Sequence, residues 1–305
     1  MGDVLAQPSR AAISEGTEMK KDVLSVISSS SKSFSKGQRK ISAYILENYD
    51  KAAFMTASRL GETVGVSEST VVRFAADLGY DGYPAMRKAL QEMIKYRLTT
   101  VQRIEVSKEL TDSGDVLSSV LTVDVEKIRA TLEEINRADF DRAVDAIVNS
   151  KSVYIMGFRS SSALAAFMGF YLNMLFPNVK VINDSSTGEV FEQIMRIGEE
   201  DLLIAISFPR YSRRAVKAIY FARDNGAEIV GITDSESSLI AQYTDINLYA
   251  KSEMLSFVDS IVPPMSLINA LIVASASRAH KDLIDNFRQL EKIWAEYDVY
   301  EKAGS

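Results

Sequence analysis

Two short helical patterns separated by a glycine dominate residues 57–78. Apolar or small residues recur at helical spacing on one face of each pattern: Leu60, Gly61 and Val64 in the first, and Val71, Phe74 and Leu78 in the second. Gly65 falls where the first helix must end in a left-handed conformation, and Ser67 is suited to cap the second helix. Because Gly61 costs roughly 1 kcal/mol inside a helix, a second helix is expected to cross closely over it. The spacing predicts a helix-turn-helix.

The outer face of the second helix carries polar side chains that are candidates for DNA contact: Ser67, Glu68, Ser69, Thr70 and Arg73. In a helix-turn-helix, this face of the second helix lies in the major groove. Arg73 is the long donor on this face, and arginine to guanine is the commonest specific contact. An ordinary helical hairpin inside a core would also show two apolar stripes. It rarely needs the small residue, the turn glycine and the cap together.

The pattern divides the chain into four segments: a mostly disordered segment at 1–31, a helix-turn-helix domain at 32–110, a helical linker at 111–150 and a C-terminal domain at 151–298. The first segment is polar and serine-rich, with a short helix expected at 19–27. Helices at 38–48 and from Pro84 to about residue 96 complete the DNA-binding domain. The linker helices, at 116–135 and 140–149, could carry a dimer contact.

From residue 152 onward, short β-rich runs alternate with helical patterns. Strands are predicted at 153–156, 179–182, 202–206, 228–233 and 246–249. Helices are predicted at 161–175, 188–196, 212–225, 239–242, 259–280 and 283–296. Apolar strands that alternate with helices belong to a parallel sheet covered on both faces. We therefore predict an all-α N-terminal domain followed by an α/β domain with a five-stranded parallel sheet and helices on both faces.

Two loops after predicted strands combine hydroxyl groups with arginine at a helix N-terminus. The loop at 157–163 follows the first strand, and the loop at 207–213 follows the third. Ligands of such sheets bind at the carboxyl ends of strands, and a helix N-terminus favours an anion. The candidate ligand-binding residues are Arg159, Ser160, Ser161, Ser162, Ser207, Arg210 and Ser212. In the alternative interpretation, the serines only cap helices and the arginines pair with Asp or Glu.

The charge of the chain is unevenly distributed. The net charge is -6, which alone argues against a nucleic-acid partner. Residues 32–109, however, contain 13 Lys and Arg against 9 Asp and Glu, while residues 111–305 contain 19 against 28. A basic module is therefore joined to an acidic one, as expected when only the first part binds DNA.

Several classes of function are excluded by composition. The chain has no Cys and one His, so we expect neither a metal site nor a catalytic thiol, and no cofactor motif is present. We see no apolar run of about 18 residues and no apolar core of a signal peptide at the N-terminus. These observations predict a cytoplasmic protein without a membrane span.

The chain resembles the RpiR/MurR family of bacterial transcriptional regulators over roughly residues 32–285. On the DNA side the resemblance rests on Val66-Ser-Glu-Ser-Thr-Val-Val-Arg-Phe74 and Leu78-Gly-Tyr-Asp-Gly-Tyr83. In the second domain it rests on residues 157–163, Ile206-Ser207, Ser212 and Gly231-Ile-Thr-Asp234. The resemblance implies a helix-turn-helix followed by a sugar isomerase (SIS) domain. It also implies a phosphosugar effector, held by Ser160, Ser161, Ser162, Ser207 and Ser212.

Two arginines depart from the pattern of this family. Arg159 stands where the family commonly has glycine, and Pro209-Arg210 replaces a Ser-Gly pair. Either the ligand is more acidic than a simple phosphosugar, or the arginines pair with carboxylates of the protein. The Glu and His that act as acid and base in SIS isomerases are not recognisable.

We therefore expect a regulator of a carbohydrate-metabolism operon rather than an enzyme, with no catalytic residues. Its expected partners are a double-stranded DNA operator, a small anionic effector that is a phosphosugar or sugar acid, and further copies of the chain in a homodimer or homotetramer. The alternative is a phosphosugar isomerase with an appended DNA-binding domain.

Overall fold

The computed structural model describes residues 23–31, 34–94, 99–111, 114–183, 186–252 and 258–299. The chain divides into two compact units, Met1–Lys108 and Glu109–Ser305. The described part of the first unit contains the helices α1 (Val23–Ser30), α2 (Lys36–Glu47), α3 (Tyr49–Ala52), α4 (Ala57–Val64), α5 (Glu68–Asp77) and α6 (Gly82–Ile94). Helix α7 (Thr100–Thr111) contains the boundary between the units.

Helices α4 and α5 form the predicted helix-turn-helix and bury the predicted stripes. Leu60 of α4 and Val71 and Phe74 of α5 are fully buried. They share the core of the unit with Ile41 and Ile45 of α2. Full burial of each such side chain contributes about 1.5–3 kcal/mol, so packing rather than helix propensity holds these short helices in place.

The turn between α4 and α5 depends on two glycines. Gly65 ends α4 at φ 69° and ψ 51°, the left-handed conformation that the sequence predicts. A Cβ on Gly61 would lie 2.8 Å from the carbonyl oxygen of Val66. The predicted close approach over Gly61 is therefore present, but the backbone of the turn makes it. Ser67 occupies the N-cap position of α5, but its side chain makes no capping hydrogen bond, so that detail of the prediction is wrong.

The close contact at Gly61 gives a testable prediction. Gly61→Ala should destabilise the first unit by about 1–3 kcal/mol, because backbone atoms would have to move to admit the methyl group. Urea unfolding followed by circular dichroism would measure the change. Ser58→Ala in the exposed part of the same helix is the control. Equal stability of the two variants would show that the backbone of α4 and of the turn can move apart to admit the methyl group without loss of folding free energy.

The end of the first 31 residues is helical, within the segment that the sequence predicts to be mostly disordered with a short helix at 19–27. Helix α1 extends from Val23 to Ser30, and Val23 and Ile27 are buried against the rest of the unit. This helix shares residues 23–27 with the short helix that the sequence predicts, and it ends three residues later, at Ser30. Residues 1–22, including the start of the helix expected at 19–27, lie outside the described residues. Helices α3 and α7 were not predicted.

Helix α6 begins two residues before the predicted start at Pro84. Gly82 is its first residue, at φ 79°. The hydroxyl of Tyr83 donates to the carbonyl oxygen of Met55 at 3.0 Å. Burial raises the pKa of Tyr83 to about 12, so this hydroxyl remains a donor at neutral pH. The bond fixes the start of α6 against the segment that leads into α4.

The second unit is built on the predicted five-stranded parallel sheet. Its strands are β1 (Ser152–Gly157), β2 (Val179–Ile182), β3 (Asp201–Ile206), β4 (Glu228–Thr233) and β5 (Ile246–Tyr249), in the order β2-β1-β3-β4-β5. All four strand pairings are parallel. Its helices are α8 (Val116–Glu134), α9 (Arg137–Asn149), α10 (Ser161–Leu175), α11 (Thr187–Ile194), α12 (Arg213–Asp224), α13 (Val262–Arg278) and α14 (His280–Glu296). A 3-10 turn lies at Ala241–Tyr243.

Alternate residues of the central strands enter two separate cores. Ile155 and Ile204 face one core, which also contains buried residues of α9, α10 and α13. Tyr154 and Leu203 face the other, which contains buried residues of α11 and α12. Since successive side chains of a strand point to opposite faces, this distribution confirms that helices cover both faces of the sheet.

The two predicted linker helices lie within the second unit and contact it through polar bonds. Thr131 of α8 accepts a hydrogen bond from the backbone of Lys251 at 3.0 Å, and Asp124 accepts one from Ser260 at 2.6 Å. On α9, Asp145 pairs with Arg278 of α13 at 2.5 Å. The helices therefore belong to the packed structure around the sheet.

Helix α13 is shorter than the predicted 259–280. It begins at Val262, followed directly by two prolines, and ends at Arg278 before α14 begins at His280. Proline is favoured in the first turn because its missing N–H has no helical partner there. Asp259 is consequently in the segment that precedes the helix, where its side chain can contribute to a site.

Candidate DNA-binding and effector sites

The five candidate DNA-contacting residues lie together at the start of α5. Ser67, Glu68, Ser69 and Arg73 are exposed, and Thr70 is half-buried. Val71 and Phe74, on the opposite side of the helix, are fully buried. The structure thus presents the predicted polar face to solvent at the amino end of the second helix of the motif.

Hydroxyl groups connect the polar residues of this face. The Oγ of Ser67 lies 2.9 Å from the Oγ of Ser69 and 2.8 Å from the Oγ1 of Thr70. Arg73 donates from Nε to the carbonyl oxygen of Ser69 at 3.2 Å and from Nη2 to its hydroxyl at 3.4 Å. The guanidinium is therefore directed back along the helix, toward the hydroxyl cluster at its start.

The loops after β1 and β3 line one cleft of about 420 Å³ at the carboxyl edge of the sheet. Its described lining is Phe158, Arg159, Ser160, Ser161, Ser207, Phe208, Pro209, Arg210, Ser212, Val258 and Asp259. The structure therefore brings together six of the seven candidate ligand-binding residues. Ser162 does not line the cleft, because its hydroxyl donates to the carbonyl oxygen of Arg159 at 2.6 Å.

Both arginines of the cleft adopt a backbone conformation that suits glycine. Arg159 has φ 58° and Arg210 has φ 70°. A left-handed conformation costs a residue with a Cβ about 1–2 kcal/mol, and strain of this kind tends to persist at functional sites. The loops thus keep a glycine-like backbone at the two positions where this chain departs from the expected family pattern, while each carries an exposed guanidinium.

The serines of the two loops have different local roles. Ser212 caps α12 by accepting a hydrogen bond from the backbone of Arg214 at 3.2 Å. Ser160 occupies the N-cap position of α10 without a side-chain cap bond. The alternative interpretation, in which serines only cap helices, therefore describes Ser212 but not Ser160. A hydroxyl that accepts a bond can still donate its proton, so Ser212 also remains suited to ligand contact.

A buried carboxylate after β4 fixes the loop that contains Arg210. Tyr211 donates its hydroxyl proton to the Oδ1 of Asp234 at 2.6 Å, and Thr233 donates to the same oxygen at 3.3 Å. Ser235 donates to the other oxygen at 3.3 Å. The Thr233-Asp234 pair of the sequence motif therefore holds the second loop of the cleft in position.

Five residues of the described lining were not among the candidates: Phe158, Phe208 and Pro209 within the two predicted loops, and Val258 and Asp259 outside them. Val258 and Asp259 lie in the segment that precedes α13, and from there they reach the cleft. The sequence signal was the Pro263-Pro264 pair, which marks the start of α13, but Asp259 was assigned to the helix itself. Asp259 supplies a carboxylate to a cleft that also contains two arginines.

A second cavity of about 540 Å³ lies at the amino ends of the strands, around Tyr154, Lys180 and Asp201. Lys180 donates to the hydroxyl of Tyr154 at 3.0 Å, and at the rim Lys151 pairs with Glu200 at 2.6 Å. Ligands of parallel sheets bind at the opposite edge, and no candidate residue lies here. The cleft at the carboxyl edge is therefore the better effector site.

Neither a metal site nor a membrane span is found in the part of the chain that the structure describes. No group of three or more His, Cys, Asp or Glu side chains there is arranged to hold a metal ion. Among the same residues, no helix combines the length and apolar character needed to cross a bilayer.

Two family models match the chain, one in each unit. A model described as "Helix-turn-helix domain, rpiR family" matches residues 21–96, and a model of the SIS domain matches residues 146–274. The fold and the two matches define a DNA-binding transcriptional regulator with a helix-turn-helix and an SIS domain. The chain belongs to the RpiR family of such regulators.

Curated relatives are similar over most of their length. The chain is 23% identical to an HTH-type transcriptional regulator of Caldanaerobacter subterraneus subsp. tengcongensis over 271 residues, which cover 86% of this chain and 93% of the relative. It is 22% identical to the HTH-type transcriptional regulator HexR of Pseudomonas aeruginosa over 275 residues, which cover 89% and 95% of the two chains. The aligned segments therefore include parts of both units of this chain.

Two solved structures share the fold. The NanR protein of Vibrio vulnificus, determined in complex with ManNAc-6P, matches with a TM-score of 0.56 and 21% identity over 92% of this chain and 100% of its own. The sugar isomerase domain of an RpiR transcription factor from Sphaerobacter thermophilus matches with a TM-score of 0.56 and 26% identity, over 58% and 98% of the two chains.

Proposed function

We propose that this protein controls a carbohydrate-metabolism operon in the bacterial cytoplasm and responds to a small anionic effector, a phosphosugar or sugar acid, bound in the cleft of the SIS domain. The observation that carries the proposal is the convergence of Arg159, Arg210 and four serines on one cleft. Arginine binds phosphate and carboxylate groups through planar paired donors. The complex of NanR with ManNAc-6P supports an effector of this class.

The helix N-termini at the cleft add to its preference for anions. Helix α10 begins at Ser161 and α12 begins at Arg213, directly after the two loops. Their first N–H groups and the positive ends of their dipoles favour a negative group by about 0.3–1 kcal/mol each. Hydroxyl groups suit sugar oxygens, and the arginines suit the acidic group.

We infer that the effector acts through its differential affinity for two states of the protein. An effector that prefers one state shifts the population of the protein toward that state. The coupling is reciprocal: the factor by which the effector changes the affinity for DNA equals the factor by which DNA changes the affinity for the effector. The direction of this coupling decides whether the effector releases or recruits the regulator.

A panel of ligands tests the effector. Sugar phosphates, sugar acids and neutral sugars are compared by thermal unfolding, and a ligand present at 100 times its dissociation constant should add about 2.7 kcal/mol of stability. We expect anionic members to stabilise the protein and to alter operator binding, while neutral sugars do neither. Stabilisation by neutral and anionic sugars alike would contradict the role given to the arginines.

The alternative function is a phosphosugar isomerase with an appended DNA-binding domain. Proton transfer at a sugar carbon needs a positioned acid or base, and among the described residues of the lining Asp259 is the single carboxylic acid, with no histidine. This chemistry supports binding better than turnover. The isomerase function would be favoured if the protein converted any aldose or ketose phosphate in the panel and if Asp259→Asn abolished that conversion.

We expect a homodimer or homotetramer that binds a two-fold symmetric DNA site. The half-site centres should be about 10 bp apart or a multiple of that, as for other dimeric helix-turn-helix proteins. The described part of the chain contains one such motif, and α8 exposes a row of apolar side chains available for self-association: Leu117, Leu121, Val125 and Leu132. Footprinting together with sedimentation tests this. A single half-site protected by a monomer would refute it.

A further inference from the structure

The first half of α2 lies directly against the recognition helix α5. A Cβ built on Gly37 would be 3.3 Å from the Cγ2 of Thr70, so the two backbones approach closely at the start of α5. One residue later, Gln38 donates from Nε2 to the Oδ2 of Asp77 at 2.5 Å. The rings of Phe34 and Phe74 also meet edge to face, with centroids 5.2 Å apart. These contacts fix the position of the amino end of α2.

The contacts of α2 lie on one flank of α5. Successive residues of a helix are rotated by about 100°, so Thr70 and Asp77 fall on the same side, between the buried stripe and the exposed face. Arg73 falls on that side as well, nearest to the exposed face. Helix α2 therefore borders the DNA-facing surface on the side where Arg73 lies.

Two lysines extend from this part of α2. Lys36 and Lys40 are both exposed and lie one helical turn apart. A Cβ built on Gly65 would lie 3.7 Å from the Nζ of Lys40, which places that ammonium group over the turn before the recognition helix. Arg39, between them, instead donates from Nε to the carbonyl oxygen of Phe34 at 3.0 Å.

We propose that Lys36 and Lys40 bind phosphate groups of the DNA strand that borders the major groove occupied by α5. Packed helices have axes about 8–10 Å apart, and the major groove is about 12 Å wide. With α5 in the groove, α2 consequently lies over the adjacent sugar-phosphate backbone. Lysine ammonium groups neutralise phosphates without reading the base sequence. This inference rests on the proposed contact of α5 with DNA and adds the surface that fixes its register.

The test is the salt dependence of binding by the full-length protein. Binding of the wild type, Lys36→Gln, Lys40→Gln and the double variant is measured over a range of salt concentrations. One duplex has mixed sequence, and the other is enriched by the wild type from a random pool. Each lost phosphate contact should reduce the slope of log K against log salt by about 0.9. Both duplexes should lose affinity equally, so the ratio between them should remain unchanged.

Lys51→Gln is the matched control, because it removes the same charge from the same unit. Lys51 is exposed on α3, which follows the far end of α2. We expect its slope to equal that of the wild type. The proposal would be overturned if the double variant had the same slope as the wild type, or if its slope changed no more than that of Lys51→Gln. DNA binding by α5 would not be affected by that result. Failure of the wild type to bind either duplex would overturn both. Circular dichroism confirms that each variant is folded.

Discussion

Replacing Arg73 with alanine should weaken binding to the operator by about 1–3 kcal/mol, which is a loss of roughly 5- to 150-fold in affinity. Arg73 is exposed on the polar face of α5, and its guanidinium is held over the first turns of the helix by Ser69. The amino-terminal residues of a recognition helix are those that reach base edges. The measurement is a binding titration on the operator and on mixed-sequence DNA.

The lysine variant distinguishes a base contact from a phosphate contact of Arg73. Arg73→Lys keeps the positive charge but loses the planar pair of donors that matches guanine. If Arg73 contacts a base, we expect Arg73→Lys to lose most of the preference for the operator while it retains affinity for mixed-sequence DNA. If Arg73 contacts only a phosphate, the preference should survive in both variants. Unchanged operator affinity in Arg73→Ala would remove Arg73 from the interface.

The strands of the second unit were predictable because each is a short apolar run with buried neighbours on both sides. Predicted and observed bounds agree within one residue for all five strands, and helix α10 agrees at both ends, Ser161 and Leu175. Burial on both faces of a parallel sheet requires this continuous apolar pattern. Parallel strands place their carboxyl ends at one edge of the sheet, which is why the two polar loops could be assigned to the same edge. The strand order, in which β1 and β3 are neighbours, comes from the structure.

Features that depend on distant contacts were not predictable from local pattern. The helix expected at 19–27 stops three residues before the observed end of α1 at Ser30, and the local pattern does not show that Val23 and Ile27 are buried in the folded unit. Asp259 reaches the cleft because α13 begins only at Val262. Nor does the sequence show that Ser162 donates to the carbonyl of Arg159 and so points away from the ligand site.

The left-handed backbone at the two arginines also had no local signal, because arginine seldom adopts it. Only the expected family pattern, with glycine at both positions, indicated a special conformation there. The structure shows that the conformation is retained at φ 58° for Arg159 and φ 70° for Arg210. Both arginines therefore occupy positions whose backbone geometry favours glycine. The conformational cost is consistent with the proposed role of both arginines in binding the effector.

Substituting either arginine should separate ligand binding from folding stability. Arg159→Gly and Arg210→Gly each remove a guanidinium, and a charge-assisted hydrogen bond contributes about 1.5–3 kcal/mol. We therefore expect affinity for the anionic effector to fall by about 10- to 150-fold. Glycine also relieves a strain of about 1–2 kcal/mol, which offsets its larger entropy in the unfolded chain, about 0.4–1 kcal/mol. The glycine variants should consequently unfold no earlier than the wild type.

The alanine variants complete the comparison, because alanine removes the guanidinium but keeps the unfavourable left-handed backbone. Arg159→Ala and Arg210→Ala should lose the effector response as the glycine variants do, and each should be no more stable than its glycine counterpart. The competing explanation is that the arginines pair with carboxylates of the protein. In that case all four variants should unfold at lower temperature, and none of the sugar phosphates or sugar acids should bind the wild type. The two explanations are distinguished by thermal unfolding with and without the anionic panel, together with titration of the effector. In the first, two arginines select an anionic effector in the cleft, and in the second they form a structural ion-pair network.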